Sequence, residues 1–280
     1  MRDREGRIDL HLHTNASDGT FSPSDVVERA LALGLSAISV TDHDSVEGVG
    51  EAISASGGRI LVVPGVEISA DLDGREVHIL GYFIDWQEEQ LRKDLMASAK
   101  SRLSRAEEMV ERLRRLGIEL EMGDVTAISG GGTVTRLHIA LAMKEKGYVK
   151  TTEEAFERYI GEGKPAYVER IRLSPKEAIS MIKRAGGIPV LAHPGLLKRD
   201  EVIPALIKEG LEGIEAYHSK HSLPTVEHYI ALARRLGLLV TGGSDCHGEV
   251  EGGPLIGSLN VPESILDPLE KRAAEVGRGL

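Results

Sequence analysis

Aromatic residues are scarce in this 280-residue chain: three Phe, one Trp and six Tyr, 4% in all. So few rings leave little surface on which the bases of a long single strand could stack. Cysteine is nearly missing too. The single Cys246 excludes an internal disulfide and fits a reducing compartment. No run of about 18 apolar residues exists, so the sequence offers no candidate membrane span. Met1 to Gly6 is charged and has no apolar stretch of the signal-peptide kind, so a cytoplasmic location and no membrane partner are expected. Basic excess is also lacking. The net charge of −10 argues against stable binding of duplex DNA, which needs many Lys and Arg contacts to phosphates.

What remains is an ordinary globular composition, 41% hydrophobic, with ten histidines whose placement is unusual. One pattern recurs along the chain: a helix-like stretch, a glycine, a short apolar run, then ionisable residues. The runs Ala37–Val40, Ile60–Val63, Ile188–Ala192 and Leu238–Val240 have the length and Val/Ile/Leu content of buried parallel strands. The glycine before each suits a helix C-cap. Alternating helix and strand signals predict an α/β fold with a parallel sheet. Chemistry at the end of every strand favours a closed (β/α) barrel over an open sheet, which gathers ligands at one switch point.

The rhythm breaks between about Trp86 and Lys164. Leu91, Leu95, Leu103, Ala106, Met109, Val110, Leu113 and Leu116 form a stripe of helical period ending at Gly117. "RLHIALAMKEKGYV" and "TTEEAFERYIGEG" read as two more helices, the second with a Thr cap. Residues 87–164 are therefore expected to be a helical insertion, too charged for a sizeable core of its own, packed over the mouth of a barrel made from 1–86 and 165–280. "DLDG" before it reads as a hairpin turn. The stretch "KSRLSRAEEMVERLRR" mixes both charges and reads as a solvated helix face.

In "DLHLH" a strand puts His11 and His13 on one face. Asp18, before Gly19, is on local grounds an Asx turn. "TDHD" sets Asp42, His43 and Asp44 at a strand end, where buried carboxylates need partners. Glu67 follows "VVPGV", and His78 in "REVHILGYF" would lie alongside it across the hairpin. His193 in "LAHPG" ends another strand. In "GGSDCHG" strand alternation would point Asp245 and His247 one way and Cys246 the other, making the cysteine a small packed hydrophobe. Each position alone has a plain structural reading. Nine His, Asp and Glu groups at the strand ends of one barrel point to a multinuclear metal centre, and a donor set without thiolate suits Mn, Zn or Fe.

"HLHTNASDGTFSP", "VTDHDSVEG", "GVEIS", "VHILGYF", "AHPG" and "GGSDCHG", in this order over about residues 8 to 250, resemble the PHP (polymerase and histidinol phosphatase) family. The likeness is greatest to its stand-alone bacterial branch of RNase AM and 3',5'-nucleoside bisphosphate phosphatases. It implies a distorted, TIM-like (β/α)7 barrel with two to three divalent ions. His11, His13, Glu67 and Asp245 would hold one ion, and Glu67 would bridge to a second held by His78 and His193. Asp18, His43 and His247 would hold the third. Three such ions against three carboxylates leave a site of about +3, complementary to a phosphate ester. Hydroxide bound at the Glu67 and Asp245 site would be the nucleophile. No Ser/His/Asp or Cys/His arrangement suggests a protein nucleophile.

The resemblance implies a phosphoesterase acting on 3',5'-nucleoside bisphosphates, by removal of the 3'-phosphate, or cleaving short RNA from the 5' end. Arg136, His138, His218 and His221 are candidates to bind substrate, with His221 also a candidate acid. Arg's planar fork suits a second phosphate. The expected partner is thus a small phosphorylated substrate, a nucleotide or a short RNA end. The competing readings are a histidinol-phosphate phosphatase and, from another class, a non-catalytic metal-binding or polymerase-associated module.

Overall fold

The computed structural model describes residues 6–169, 173–249 and 255–277. Seven strands form one sheet in chain order: β1 Arg7–Leu12, β2 Leu35–Val40, β3 Leu61–Leu72, β4 Arg75–Tyr82, β5 Ile188–Leu191, β6 Gly213–His218 and β7 Leu239–Gly243. Helices α1 (Pro23–Ala32) and α2 (Glu47–Ser56) connect the first three strands. Between β4 and β5 come α3 (Glu89–Arg115), α4 (Met122–Ser129), α5 (Arg136–Glu145), α6 (Thr152–Ala155, continuing as a π-helical turn over Phe156–Ile160) and α7 (Pro175–Arg184). The remainder are α8 (Pro194–Leu197), α9 (Ile203–Glu209), α10 (Leu223–Leu236) and α11 (Leu266–Glu275).

The seam between first and last strands is bridged, His13 N–H donating to the Cys246 carbonyl (3.0 Å) and Asp245 N–H to that of His11 (2.9 Å). A side chain at Gly243 would run into the backbone of His11, so only glycine lets β7 come this close. The result is a nearly closed seven-stranded barrel, as the strand-end pattern led one to expect.

One strand breaks the parallel arrangement, as the hairpin turn read at "DLDG" leads one to expect. β4 pairs antiparallel with both β3 and β5, because the Asp73–Gly74 turn, with both residues at positive φ, folds it straight back along β3. This inversion has a chemical consequence. His78, early in β4, lies at the barrel end where the parallel strands finish.

The local signals behave as their chemistry dictates. Ser22 caps α1 with a reciprocal Asp25 bond and Pro23 at the first turn, and Thr151 caps α6. Among the described residues no helix is long and apolar enough to cross a membrane. The helical segment differs from expectation. Met109, Val110 and Leu113 of α3 pack with Val125, Ile139, Met143 and Ile160 in an apolar cluster separate from those of the barrel. Most of its charge lies on outward faces and leaves an apolar stripe within. Leu103 and Leu116, placed on that stripe by periodicity, are instead partly exposed.

Candidate metal centre

Six of the seven strands, at their ends or in the loops just after them, deliver candidate ligands to one buried point. β1 carries His11 and ends beside His13; Asp18 follows in the next loop. His43 comes after β2, Glu67 lies within β3, His78 within β4, His193 after β5, and Asp245 with His247 after β7. Asp44, His193 and Asp245 have positive φ, a conformation unfavourable for residues with a Cβ and one that clusters at functional sites. Asp245 and His247 therefore converge because of a left-handed turn beyond β7, and not through strand alternation. Cys246 is buried among apolar side chains of the outer barrel wall, away from the ligand set.

Glu67 sits at the middle of the arrangement, fully buried. Its Oε2 lies 3.4 Å from His11 Nε2, 3.2 Å from His13 Nε2 and 3.1 Å from His43 Nδ1. Asp245 Oδ1 approaches the same two histidines at 3.4 and 3.1 Å. The other Glu67 oxygen, Oε1, is 2.9 Å from His78 Nδ1 and 3.1 Å from His193 Nε2, and those two nitrogens are 3.3 Å apart. Asp18 Oδ1 lies 3.5 Å from His247 Nε2 and 3.7 Å from His13 Nδ1. The donor atoms of His11, His13, Glu67 and Asp245 lie within 4.8 Å of one another, as do those of His13, Asp18, His43 and His247, and those of His43, Glu67 and His78.

The chemistry of these donors fits metal ions. His11 Nε2, both ring nitrogens of His13, His43 Nδ1, Asp18 Oδ1 and Glu67 Oε2 are buried without a hydrogen-bond partner in the protein. Buried polar atoms are seldom left so, and each unmet group costs roughly 1–3 kcal/mol. Coordination to cations would satisfy five of the six, the second nitrogen of His13 keeping its ring proton. Electrostatics agree. Burial opposes ionisation of Glu67, yet the imidazoles of His43, His78 and His11 hold it well below the usual carboxylate range. Burial also opposes charge on His13, but Asp245 and Glu67 push it up to about 10. His78 rises to about 10 against its own burial because Glu67 and Glu76 face it. Burial wins at His43, pushed down to about 3. The cluster thus draws in positive charge, which divalent ions supply in place of protons.

The partners that "TDHD" called for are found at Asp42, and several other residues around the cluster escaped sequence reasoning. Asp42 accepts from Thr14 N–H (2.7 Å), Thr14 Oγ1 (2.7 Å) and Ser17 Oγ (2.6 Å), fixing the loop that carries Asp18. Asp9 accepts from Ser244 N–H (2.8 Å) and Gly257 N–H (2.9 Å), tying down the loop that carries Asp245. Arg102 of α3 is buried, pairing with Asp44 (2.5 Å) and with Ser69. Arg105 is buried too, donating to the Val168 carbonyl (2.7 Å), so this face of α3 is not solvated. Glu215 in β6 is fully buried beside His11. An acid inside an apolar strand is the signal that marked Glu67, and "GIEAYH" carries it equally.

The candidate substrate groups are already engaged. Arg136, at the start of α5, pairs with Glu76, whose other oxygen is 3.6 Å from His78 Nε2. His138 is buried and its Nδ1 accepts from Thr135 N–H (3.1 Å). His218 Nε2 lies 3.2 Å from Asp245 Oδ2. His221 Nδ1 donates to the Ala216 carbonyl (2.8 Å) while its Nε2 accepts from Gly195 N–H (3.2 Å). Both of its ring nitrogens face backbone, so here His221 braces two loops and has no proton free for a leaving group.

Comparison with known proteins gives the same picture. The chain is 35% identical, over 94% of both sequences, to a 3',5'-nucleoside bisphosphate phosphatase of Chromobacterium violaceum. It is 38% identical to a 5'-3' exoribonuclease of Haemophilus influenzae, over 95% of this chain and 98% of that one. A solved structure from Bifidobacterium adolescentis, described as a metal-dependent phosphoesterase, superposes with a TM-score of 0.87 at 32% identity, covering 98% of this chain and 96% of its own. The model of the PHP domain matches residues 9–172. With its barrel, its histidine-rich centre and these relatives, the chain belongs to the PHP domain family.

Proposed function

We propose that this protein is a metal-dependent phosphoesterase that removes the 3'-phosphate of 3',5'-nucleoside bisphosphates and trims short RNA from the 5' end. The observation carrying this reading is the set of orphaned imidazole and carboxylate atoms grouped around Glu67. His11, His13, Glu67 and Asp245 would hold one ion, Glu67, His78 and His193 a second, and Asp18, His43 and His247 a third, drawn from Mn, Zn or Fe. Such ions supply Lewis acidity toward phosphoryl oxygens and a water acidic enough to react near neutral pH. Glu67 uses its two oxygens to hold neighbouring positions at a fixed spacing.

The side chains of His43, His78, His193, Asp245 and His247 are each 11–18% exposed, so substrate meets the centre on this side. A cavity of about 380 Å³ opens there, between His78, His193, Arg75 and Leu196. Its size suits a nucleotide better than a folded RNA. Arg136 would exchange Glu76, on the wall of this cavity, for the second phosphate, while the buried His138 and His218 take no part in lining it. Residues 87–164 are read as an insertion, anchored to the barrel by Arg102–Asp44, Arg136–Glu76 and Thr133 N–H to the Ala16 carbonyl (3.2 Å).

Protein purified without chelator should contain two to three metal ions per chain by elemental analysis. It should release phosphate from a nucleoside 3',5'-bisphosphate faster than from histidinol phosphate, and shorten a 5'-phosphorylated RNA. Metal-replete protein that turns over none of these would overturn the reading. Preference for histidinol phosphate would replace the substrate with the competing one.

A further inference from the structure

β6 is the one strand that supplies no candidate ligand, yet it carries two fully buried polar side chains facing the centre, Glu215 and His218. In a regular strand, residues three apart point to opposite faces. Here Glu215 pairs with Thr241 and Tyr217 with Gly242, so two residues of β6 are spanned by one step of β7. This bulge turns the strand and brings both side chains inward.

Their bonds are specific. Glu215 Oε1 is 2.8 Å from His11 Nδ1, and Oε2 accepts the backbone N–H of His193 at 2.8 Å. The first contact places the ring proton of His11 on Nδ1 and leaves Nε2 bare toward Glu67 and Asp245. The second holds the strained backbone of His193 (φ 25°) that aims its ring at Glu67. His218 Nδ1 accepts from Lys220 N–H (3.2 Å), so its proton is on Nε2 and is donated to Asp245 Oδ2 (3.2 Å). That leaves Asp245 Oδ1 directed at His11 and His13. Partners of this kind fix the tautomer and direction of metal-binding side chains.

We infer that β6 is an orienting strand: Glu215 and His218 are positioning residues that set His11, His193 and Asp245 for two adjacent ion positions without touching either ion. This role rests on the metal centre proposed above and assigns His218 a task other than substrate contact.

The test uses the full chain, freed of metal and titrated with Co²⁺, reading affinity, stoichiometry and the visible absorption of the bound ion. Glu215→Gln keeps the shape but sets an amide N–H against a donor. Together with His218→Leu, it should weaken Co²⁺ binding about 10- to 100-fold and shift the absorption bands. His218→Gln should recover most of the affinity, because its amide can replace the Nε2–H donor. Ser39→Ala, which removes a buried bond to the Val63 carbonyl between two strands other than β6, should leave both readouts unchanged. Wild-type affinity and spectra in Glu215→Gln and His218→Leu would overturn the role while leaving the metal centre standing, as would an equal loss in Ser39→Ala. Absence of Co²⁺ binding by the unaltered chain would overturn the centre and this role together.

Discussion

Two sets of buried acids lie side by side at the same end of the barrel, and they are treated oppositely. Asp9 and Asp42 are saturated by backbone N–H groups and hydroxyls, and burial still raises their pKa. Burial acts on Glu67 and Asp245 as well, but the surrounding imidazoles hold both well below the carboxylate range. The first set has donors and wants no further charge. The second set has mainly imidazoles around it and stays ionised, and Glu67 Oε2 faces nitrogens of His11, His13 and His43 that lack hydrogen-bond partners as it does. Depth and residue type are shared. The difference is whether the neighbours donate protons or compete for a cation, and that separates a loop anchor from a metal ligand.

The contrast can be broken hardest at its centre. Glu67→Ala removes the oxygens that would be shared by two of the proposed ion positions, and the loss of several kcal/mol of charge stabilisation corresponds to about a thousand-fold drop in turnover. Elemental analysis should show metal lost with it. Outside both sets, Arg102→Ala leaves Asp44 buried without its guanidinium, a change costing about 3–5 kcal/mol. Here the melting temperature should fall while metal content per folded chain is kept. A chelator should move both readouts at once. Ions at a hundred times their dissociation constant contribute about 2.7 kcal/mol, so their removal should lower the melting temperature by roughly 5–10 °C, reversibly. Acid should act in the same direction, since an imidazole must be neutral to bind metal and falling pH protonates it. At the far end, Arg59→Ala cuts an exposed pair with Glu28 and two bonds to the Ala55 and Ser56 carbonyls at the end of α2, and should leave activity and metal content unchanged with only a small fall in melting temperature.

Much of the fold was legible because it rests on local rules. Gly34, Gly186 and Gly237 stand at positive φ before β2, β5 and β7, where helix C-caps were expected. Every residue of the ligand reading lies on or just beyond a barrel strand. Other features were hidden for equally physical reasons. The antiparallel pairing of β5 with β4 is one, because the hairpin turn reverses β4 but periodicity is silent about which strand β5 joins. Arg102 and Arg105 look like solvated charges because helical spacing does not say what packs against that face. Glu215 and Glu67 look alike in sequence, each an acid inside an apolar strand.

The sequence by itself determined the alternation of strands and helices, the caps, and a chain dense in imidazole and carboxylate at strand ends. These follow from interactions within a few residues. Tertiary structure alone decided which acids meet the imidazole cluster and which are held by backbone N–H groups and hydroxyls. Glu215 meets His11 across 204 residues, and Asp245 meets His13 across the seam of the barrel. A buried carboxylate is defined by the donors that reach it, and those donors arrive only when the barrel closes.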